Sequence, residues 1–288
     1  MSLYRLHNPG APKELRFGDL TLTAFSISGL ATYVLAPSLN ACFDLGHCPA
    51  EAARLDRVFL SHVHQDHSSG VPRHLWLREM QGMGRPKVYC PAESAEGLRG
   101  VLRAFAAMEG RDRDDGDVVR GVVDGEVIPL GRRRTVRVFD VVHRIASVGF
   151  TVVERRRRLL DAWVGAPGPE IGAARRRGEV VDVESEVDLF TYVGDSTIET
   201  LRRHPEVGRS EVLFLEATHL PGTDPAKSVE YGHTHLDELV ALWRERPEAL
   251  ASPHIVLKHF SMRYFEREVR AAVAALPDGL RERVRPLL

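Results

Sequence analysis

The sequence predicts an α/β fold in which two β-sheets pack face to face with helices on their outer sides, an αββα sandwich. Two observations carry that prediction. Strand-like segments fall into two groups, and each group is followed by helical patterns. At 288 residues the chain is long enough to bury a substantial core.

Leu20 to Ser26 alternates apolar and polar residues, as a half-buried strand does. Ala31 to Ala36, Ala41 to Leu45 and Arg57 to Leu60 are short, apolar runs of the same kind. A helix is expected over Ser94 to Met108, with Leu98, Val101, Leu102 and Phe105 on one face. Strands resume at Thr135 to Val142 and Val148 to Val153. From about Glu154 to Glu186 the pattern breaks, because arginine runs flank Val164-Gly165-Ala166-Pro167-Gly168-Pro169. This stretch reads as a protruding, arm-like insertion in one domain spanning residues 1–288. Beyond it, strands are expected at Leu189 to Val193, Val212 to Glu216 and Ile255 to Lys258, and helices at Leu236 to Glu245 and Tyr264 to Leu276. Thr234, with Asp237 three residues on, resembles a capping box that starts the first of these helices.

Composition narrows the function classes. Hydrophobic content is 43%, charged content 27%, and no stretch approaches the roughly 20 apolar residues of a membrane span. A soluble protein is expected. Arg5 and His7 interrupt the short apolar stretch at the N-terminus, so a secretory signal is not expected and a cytoplasmic location is the default. A net charge of −1 argues against a protein that coats nucleic acid by charge alone. Cys42, Cys48 and Cys90 cannot all pair and form no C-x-x-C knuckle, so they are expected to be buried, reduced thiols.

The chemistry concentrates in His62-Val63-His64-Gln65-Asp66-His67, which follows an apolar strand and precedes a turn at Ser68-Ser69-Gly70-Val71-Pro72. Four metal-ligating groups converge on one loop, and imidazole with carboxylate favours zinc, with iron or manganese as other occupants. His62 and His64 can share one ion while Asp66 and His67 serve another. Each ion needs about three protein groups, so further ligands must come from elsewhere. His143, Asp195 and His259 each end an apolar run with a polar residue and are the candidates. Asp44, in Phe43-Asp44-Leu45-Gly46, ends a strand just upstream. It is either a hydrogen-bond partner of the histidine loop or a plain turn residue. His7, His47, His74, His204, His219 and His254 lack partners at ligand spacing and carry no assignment, and His235 belongs to the first turn of a helix.

Five runs give the chain a specific resemblance. They are Ser61-His62-Val63-His64-Gln65-Asp66-His67, Tyr192-Val193-Gly194-Asp195-Ser196-Thr197, Leu215-Glu216-Ala217-Thr218, Tyr231-Gly232-His233-Thr234-His235 and Lys258-His259-Phe260-Ser261-Met262-Arg263-Tyr264. The first resembles the metallo-β-lactamase superfamily in general. The others resemble its short-form ribonuclease Z branch, endonucleases that trim the three-prime trailer from precursor tRNA. Carried over, the resemblance implies that His62, His64 and His143 hold one zinc ion, that Asp66, His67 and His259 hold the other, and that Asp195 bridges them. A hydroxide between the two ions would then attack the phosphodiester in line, and Asp66 could orient it. Glu216 and His233 would protonate the leaving ribose oxygen. The resemblance further implies that the 154–186 arm contacts RNA and that the chain forms a homodimer. Two other readings keep the fold: hydrolysis of a small phosphodiester, thioester or lactone, and a redox or binding module. His64 speaks against the redox module, because di-iron relatives commonly have Glu at that position.

Overall fold

A computed structural model describes residues 10–111 and 114–288; His7 and the rest of the first nine residues lie outside it. The chain builds two seven-stranded sheets in succession. The first contains β1 (Lys13–Phe17), β2 (Leu20–Ile27), β3 (Ala31–Ala36), β4 (Ala41–Leu45), β5 (Arg57–Phe59), β6 (Lys87–Pro91) and β7 (Val119–Val122), side by side in that order. β1 to β4 pair antiparallel, and β4 to β7 pair parallel. The second sheet repeats the plan with β8 (Val127–Pro129), β9 (Arg134–Asp140), β10 (Val148–Leu159), β11 (Asp182–Tyr192), β12 (Val212–Glu216), β13 (His254–Lys258) and β14 (Val284–Pro286). Again three antiparallel steps precede three parallel ones.

Strand composition follows from burial on both faces. In β12, Val212 and Phe214 point between the sheets while Leu213 and Leu215 point outward, so the strand reads as a continuous apolar run. The space between the sheets is filled by aromatics. Phe43 meets Phe190 edge-on at 4.9 Å, and Phe59 stacks on Tyr89 at 4.8 Å. Helices α2 (Val71–Met80) and α3 (Ala95–Met108) cover the outer face of the first sheet. Helices α7 (Leu236–Glu245) and α8 (Glu266–Ala274) cover the second. The layering is αββα, as expected. No helix among the described residues is long and apolar enough to cross a membrane.

Several local expectations are corrected. The buried face of α3 is Ala95, Leu98, Leu102 and Ala106; Val101 and Phe105 turn to solvent, 47% and 42% exposed. The cap of α7 sits one residue later than expected, at His235 with Glu238 closing the capping box. His235 Nδ1 accepts the Asp237 amide, so an imidazole does what a threonine hydroxyl was expected to do.

The ends of the 154–186 segment are strand. β10 and β11 form one long hairpin that runs well past the sheet, with α4 (Gly168–Arg176) in its connection. Ion pairs replace apolar alternation there: Arg155 faces Glu186, and Arg157 faces Glu184. The segment holds seven arginines (155, 156, 157, 158, 175, 176 and 177) against seven carboxylates (154, 161, 170, 179, 182, 184 and 186). Its charge is balanced, where the arginine runs alone suggest a basic arm.

All three cysteines are buried and unpaired. Burial pushes the Cys48 and Cys90 thiols up to about 12, which leaves them unreactive. On α2, His74 Nε2 contacts the carbonyls of Ala52 and Leu55, and Arg78 one turn on contacts those of Ala53 and Leu55. These bonds fix the loop that leads into β5.

Candidate metal centre

The parallel strands of both sheets end at one edge of the sandwich, and the seven predicted residues meet there. β5 runs into the 62–67 loop, whose last residues form the single turn α1 (Gln65–Ser68). His143 lies between β9 and β10, Asp195 just past β11, and His259 directly after β13. Two glycines permit this crowding. A Cβ on Gly46 would stand 1.8 Å from the Asp66 carbonyl oxygen, and one on Gly194 would stand 2.4 Å from the Ser61 side chain.

Ring nitrogens and carboxylate oxygens face one another in two groups. In the first, His62 Nε2 is 3.0 Å from His64 Nδ1, His143 Nε2 is 3.4 Å from the same atom, and Asp195 Oδ2 is 3.8 Å from His62 Nε2. In the second, His259 Nε2 lies 3.2 Å from His67 Nε2 and 3.3 Å from Asp66 Oδ2. Asp195 Oδ2 reaches into this group too, at 3.2 Å from His67 and 3.3 Å from His259. Ligand atoms on one tetrahedral zinc are themselves separated by about 3.3 Å. Both groups have spacings near that value; Asp195 is part of the first and touches His67 and His259 of the second.

The outward nitrogens explain why the inward ones are free. His143 Nδ1 donates to the Gly232 carbonyl at 2.7 Å, and His67 Nδ1 donates to Asp44 Oδ2 at 2.7 Å. His62 Nδ1 meets Ser61 Oγ at 3.0 Å, and that hydroxyl donates onward to Asp44 Oδ2 at 2.8 Å. With tautomers assigned from these partners, the inward nitrogens of His62 and His143 present lone pairs, and that of His67 does so once its second proton is lost. Burial holds His62, His64 and His143 below the usual imidazole range, so they are neutral, the form that binds metal. For His67 burial works the same way, but Asp195 and Asp44 on either side override it and push the ring to about 10. Without a cation, a proton must sit among these lone pairs. Asp195 Oδ1, buried, has no hydrogen-bond partner among the described residues. Converging lone pairs and an orphaned carboxylate oxygen are what a divalent cation satisfies, so the residues fit the expected metal.

Of the two readings of Asp44, the hydrogen-bond partner of the histidine loop is the one observed; it lies inside β4 and not in a turn. Val34 pairs with Phe43 and Tyr33 with Leu45, which leaves Asp44 as the extra residue of a bulge at φ 53. The bulge aims its carboxylate at the histidine loop. There it accepts from Ser61 N, Ser61 Oγ, His67 Nδ1 and, at 2.6 Å, from the Tyr192 hydroxyl. His259 has a left-handed backbone as well, φ 63. Strain of this kind persists where surrounding contacts over-determine it.

Glu216 and His233 are adjacent to the cluster and to each other. Glu216 is fully buried; Oε1 accepts His233 Nδ1 at 2.8 Å and Ser196 N at 3.0 Å, while Oε2 accepts Thr218 N and the Thr218 hydroxyl. Burial would lower His233 and raise Glu216, but the pairing overrides both effects. It holds the carboxylate ionised and pushes the imidazole up to about 9. His233 Nδ1 is 4.0 Å from Asp195 Oδ2. Sequence reasoning overlooks Ser61, Thr218 and the Gly232 carbonyl. All three lie inside motif runs, but a backbone carbonyl leaves no signal in residue identity. His219, set aside on sequence, stands with its ring 6.1 Å from that of His233 and its Nδ1 on Ser228. Burial lowers it to about 4, so it is neutral.

Two sheets with helices outside and a histidine–aspartate cluster at the strand ends define a metallo-β-lactamase-fold protein. The metallo-β-lactamase fold protein YhfI of Bacillus subtilis aligns with a TM-score of 0.52 at 15% identity, over 89% of this chain and 85% of its own. Human tRNase Z, short form, aligns with the same score at 17% identity, over 88% and 90%. No family model matches the chain. Its curated relatives are decisive. The tRNase Z TRZ1 of Arabidopsis thaliana is 30% identical over 278 residues, 94% of this chain and 96% of its own length. The ribonuclease Z of Kineococcus radiotolerans is 33% identical over 261 residues, 83% and 78%. The chain belongs to the ribonuclease Z family, hydrolases that cleave RNA.

Proposed function

We propose that this chain is a two-zinc endoribonuclease that removes the three-prime trailer from precursor tRNA. One observation carries the reading: a proton-holding pair, Glu216 and His233, stands against two adjoining histidine–aspartate groups that could each hold a cation. His62, His64 and His143 would hold one ion, Asp66, His67 and His259 the other, with Asp195 shared. Bound there, the ions supply Lewis acidity and a solvent nucleophile ionised near neutral pH. Asp66 accepts the Gly29 amide at 2.8 Å, which fixes its carboxylate at the mouth of the cluster, 15% exposed, where an attacking solvent molecule would be oriented. His233 keeps a proton on Nε2, the nitrogen turned away from Glu216, and can deliver it to the departing ribose oxygen.

The catalytic unit spans 1–288 in this reading, and the 154–186 hairpin serves as its arm. Arg176 on α4 and, beside the arm's root, Arg132 and Arg133 form no ion pair among the described residues, Arg133 donating only to the Arg155 carbonyl, so these cations are available to phosphate. A homodimer is the expected assembly, measurable by light scattering. The deciding experiment incubates the purified protein with a trailer-bearing tRNA and zinc or manganese, beside Asp66→Ala and an arm-deleted protein. Absence of cleavage by the unaltered chain rejects the proposal. The arm's balanced charge favours one other substrate class, a small phosphodiester. Diester hydrolysis that survives arm deletion, without tRNA cleavage, would establish that class instead.

A further inference from the structure

One hydroxyl lies between the proton-holding pair and the cation cluster. Thr218 Oγ1 is 2.6 Å from Glu216 Oε2, 3.0 Å from His259 Nδ1 and 3.3 Å from His233 Nδ1. The residue is 3% exposed, and its backbone holds the same neighbourhood. Its amide donates to Glu216 Oε2 at 2.9 Å, and its carbonyl accepts the Ser261 amide at 3.0 Å, tying the loop after β12 to the loop after β13.

A hydroxyl has one proton and two lone pairs. Glu216 is an acceptor only, and the shortest of the three contacts is to it, so the Thr218 proton goes there. The oxygen can then only accept from His259. His259 must therefore carry its proton on Nδ1, which leaves the Nε2 lone pair facing Asp66, His67 and Asp195. His233 does not compete, because its Nδ1 proton is committed to Glu216 Oε1 at the shorter distance of 2.8 Å.

We propose that Thr218 is a positioning residue whose hydroxyl fixes the tautomer and orientation of His259 and joins it through Glu216 to His233. The Glu216 carboxylate, by aiming the hydroxyl proton, sets the direction of the whole chain. This inference rests on the proposed role of His259 as a ligand, so the experiment separates the two.

Zinc affinity is measured by chelator competition, and site geometry by the visible spectrum of the cobalt-substituted protein, for Thr218→Val, Thr218→Ser and His259→Ala. Thr218→Val keeps the shape and loses the hydroxyl. One of its two ions should bind about 10- to 100-fold more weakly, the usual effect of removing the partner of a ligating histidine. The cobalt spectrum should shift with it, and Thr218→Ser should restore both. If Thr218→Val holds both ions with unaltered affinity while His259→Ala loses one, the inference is overturned and the ligand assignment stands. If His259→Ala keeps both ions, the ligand assignment fails and takes the inference with it. If Thr218→Ser is as weak as Thr218→Val, the methyl group rather than the hydroxyl matters, and the inference is again overturned. Should the valine protein not fold, long-range nitrogen–proton correlation spectra of the zinc-loaded unaltered protein decide the point. A proton on His259 Nδ1 is expected, and one on Nε2 would refute the proposal.

Discussion

Asp44→Asn isolates a single carboxylate charge in the support of the cluster. Asparagine tolerates a left-handed backbone, so φ 53 at the bulge costs nothing new. The side chain is fully buried and takes four donors: Ser61 N at 2.7 Å, Ser61 Oγ at 2.8 Å, His67 Nδ1 at 2.7 Å and Tyr192 OH at 2.6 Å. An amide has one oxygen. If that oxygen takes the three-donor side, its NH2 group faces the Ser61 amide, and one bond is replaced by two opposed donors. The three remaining bonds lose charge assistance, at about 1 kcal/mol each, and the broken one leaves a buried donor costing about 1–3 kcal/mol. The expected loss is about 4–6 kcal/mol in urea unfolding of the metal-free protein. His67 also loses the carboxylate that orients it, so zinc affinity should fall about 10- to 100-fold. A variant that loses under about 1 kcal/mol and binds zinc like the unaltered protein would refute this account, since a buried acceptor of a charged partner cannot be that cheap.

Gly46→Ala should push the Asp66 backbone out of place, lowering stability by about 3 kcal/mol and reducing zinc stoichiometry; a normal stoichiometry would contradict the close approach. Burial lowers His74 to about 4, below the unfolded value of about 6.5, so on acidification the unfolded chain takes up the proton first. Stability is therefore lost from pH 6.5 down to 4, by on the order of 3 kcal/mol, and His74→Gln should flatten that slope in acid titrations of unfolding. Glu216→Gln removes the carboxylate that raises His233 to about 9, so the basic limb of the pH–rate profile should move to lower pH; an unmoved limb would exclude His233 as the acid. Replacing Glu184 and Glu186 by glutamine frees Arg157 and Arg155, exposed pairs that solvent screens and that contribute little to stability. Filter binding should then show tighter RNA binding with a salt slope steeper by about two charges, and an unchanged slope would mean the arm does not meet phosphate.

Much of the fold was legible because buried parallel strands carry apolar runs that end in polar residues. Ala41–Leu45 and Val212–Glu216 have the boundaries expected of them, as do the antiparallel strand Ala31–Ala36 and the amphipathic helix Leu236–Glu245. The cluster was legible for a related reason, since its residues lie in the segments that follow strands: the 62–67 run after β5, His143 after β9, Asp195 after β11 and His259 after β13. The arm's hairpin was not, because Arg155–Glu186 and Arg157–Glu184 stabilise it across strands without any apolar period to read. Edge strands of three to five residues, such as β8 and β14, are too short to show a period at all. The α3 face was misread because small residues, Ala95 and Ala106, pack inward while Val101 and Phe105 do not. The place of Thr218 depends on loops after two different strands, a relation that spacing along the chain does not encode.

The two halves of the molecule follow the same plan, three antiparallel steps and then three parallel, and only residues 123–126 lead from one to the other. Each proposed ion draws on both halves: His62 and His64 face His143 and Asp195, while Asp66 and His67 face Asp195 and His259. A cation held there is a rivet through the seam. A chain cut between β7 and β8 should thus reassemble from its two pieces more readily with zinc than without it, so the catalytic metal would also serve as the fastening of the sandwich.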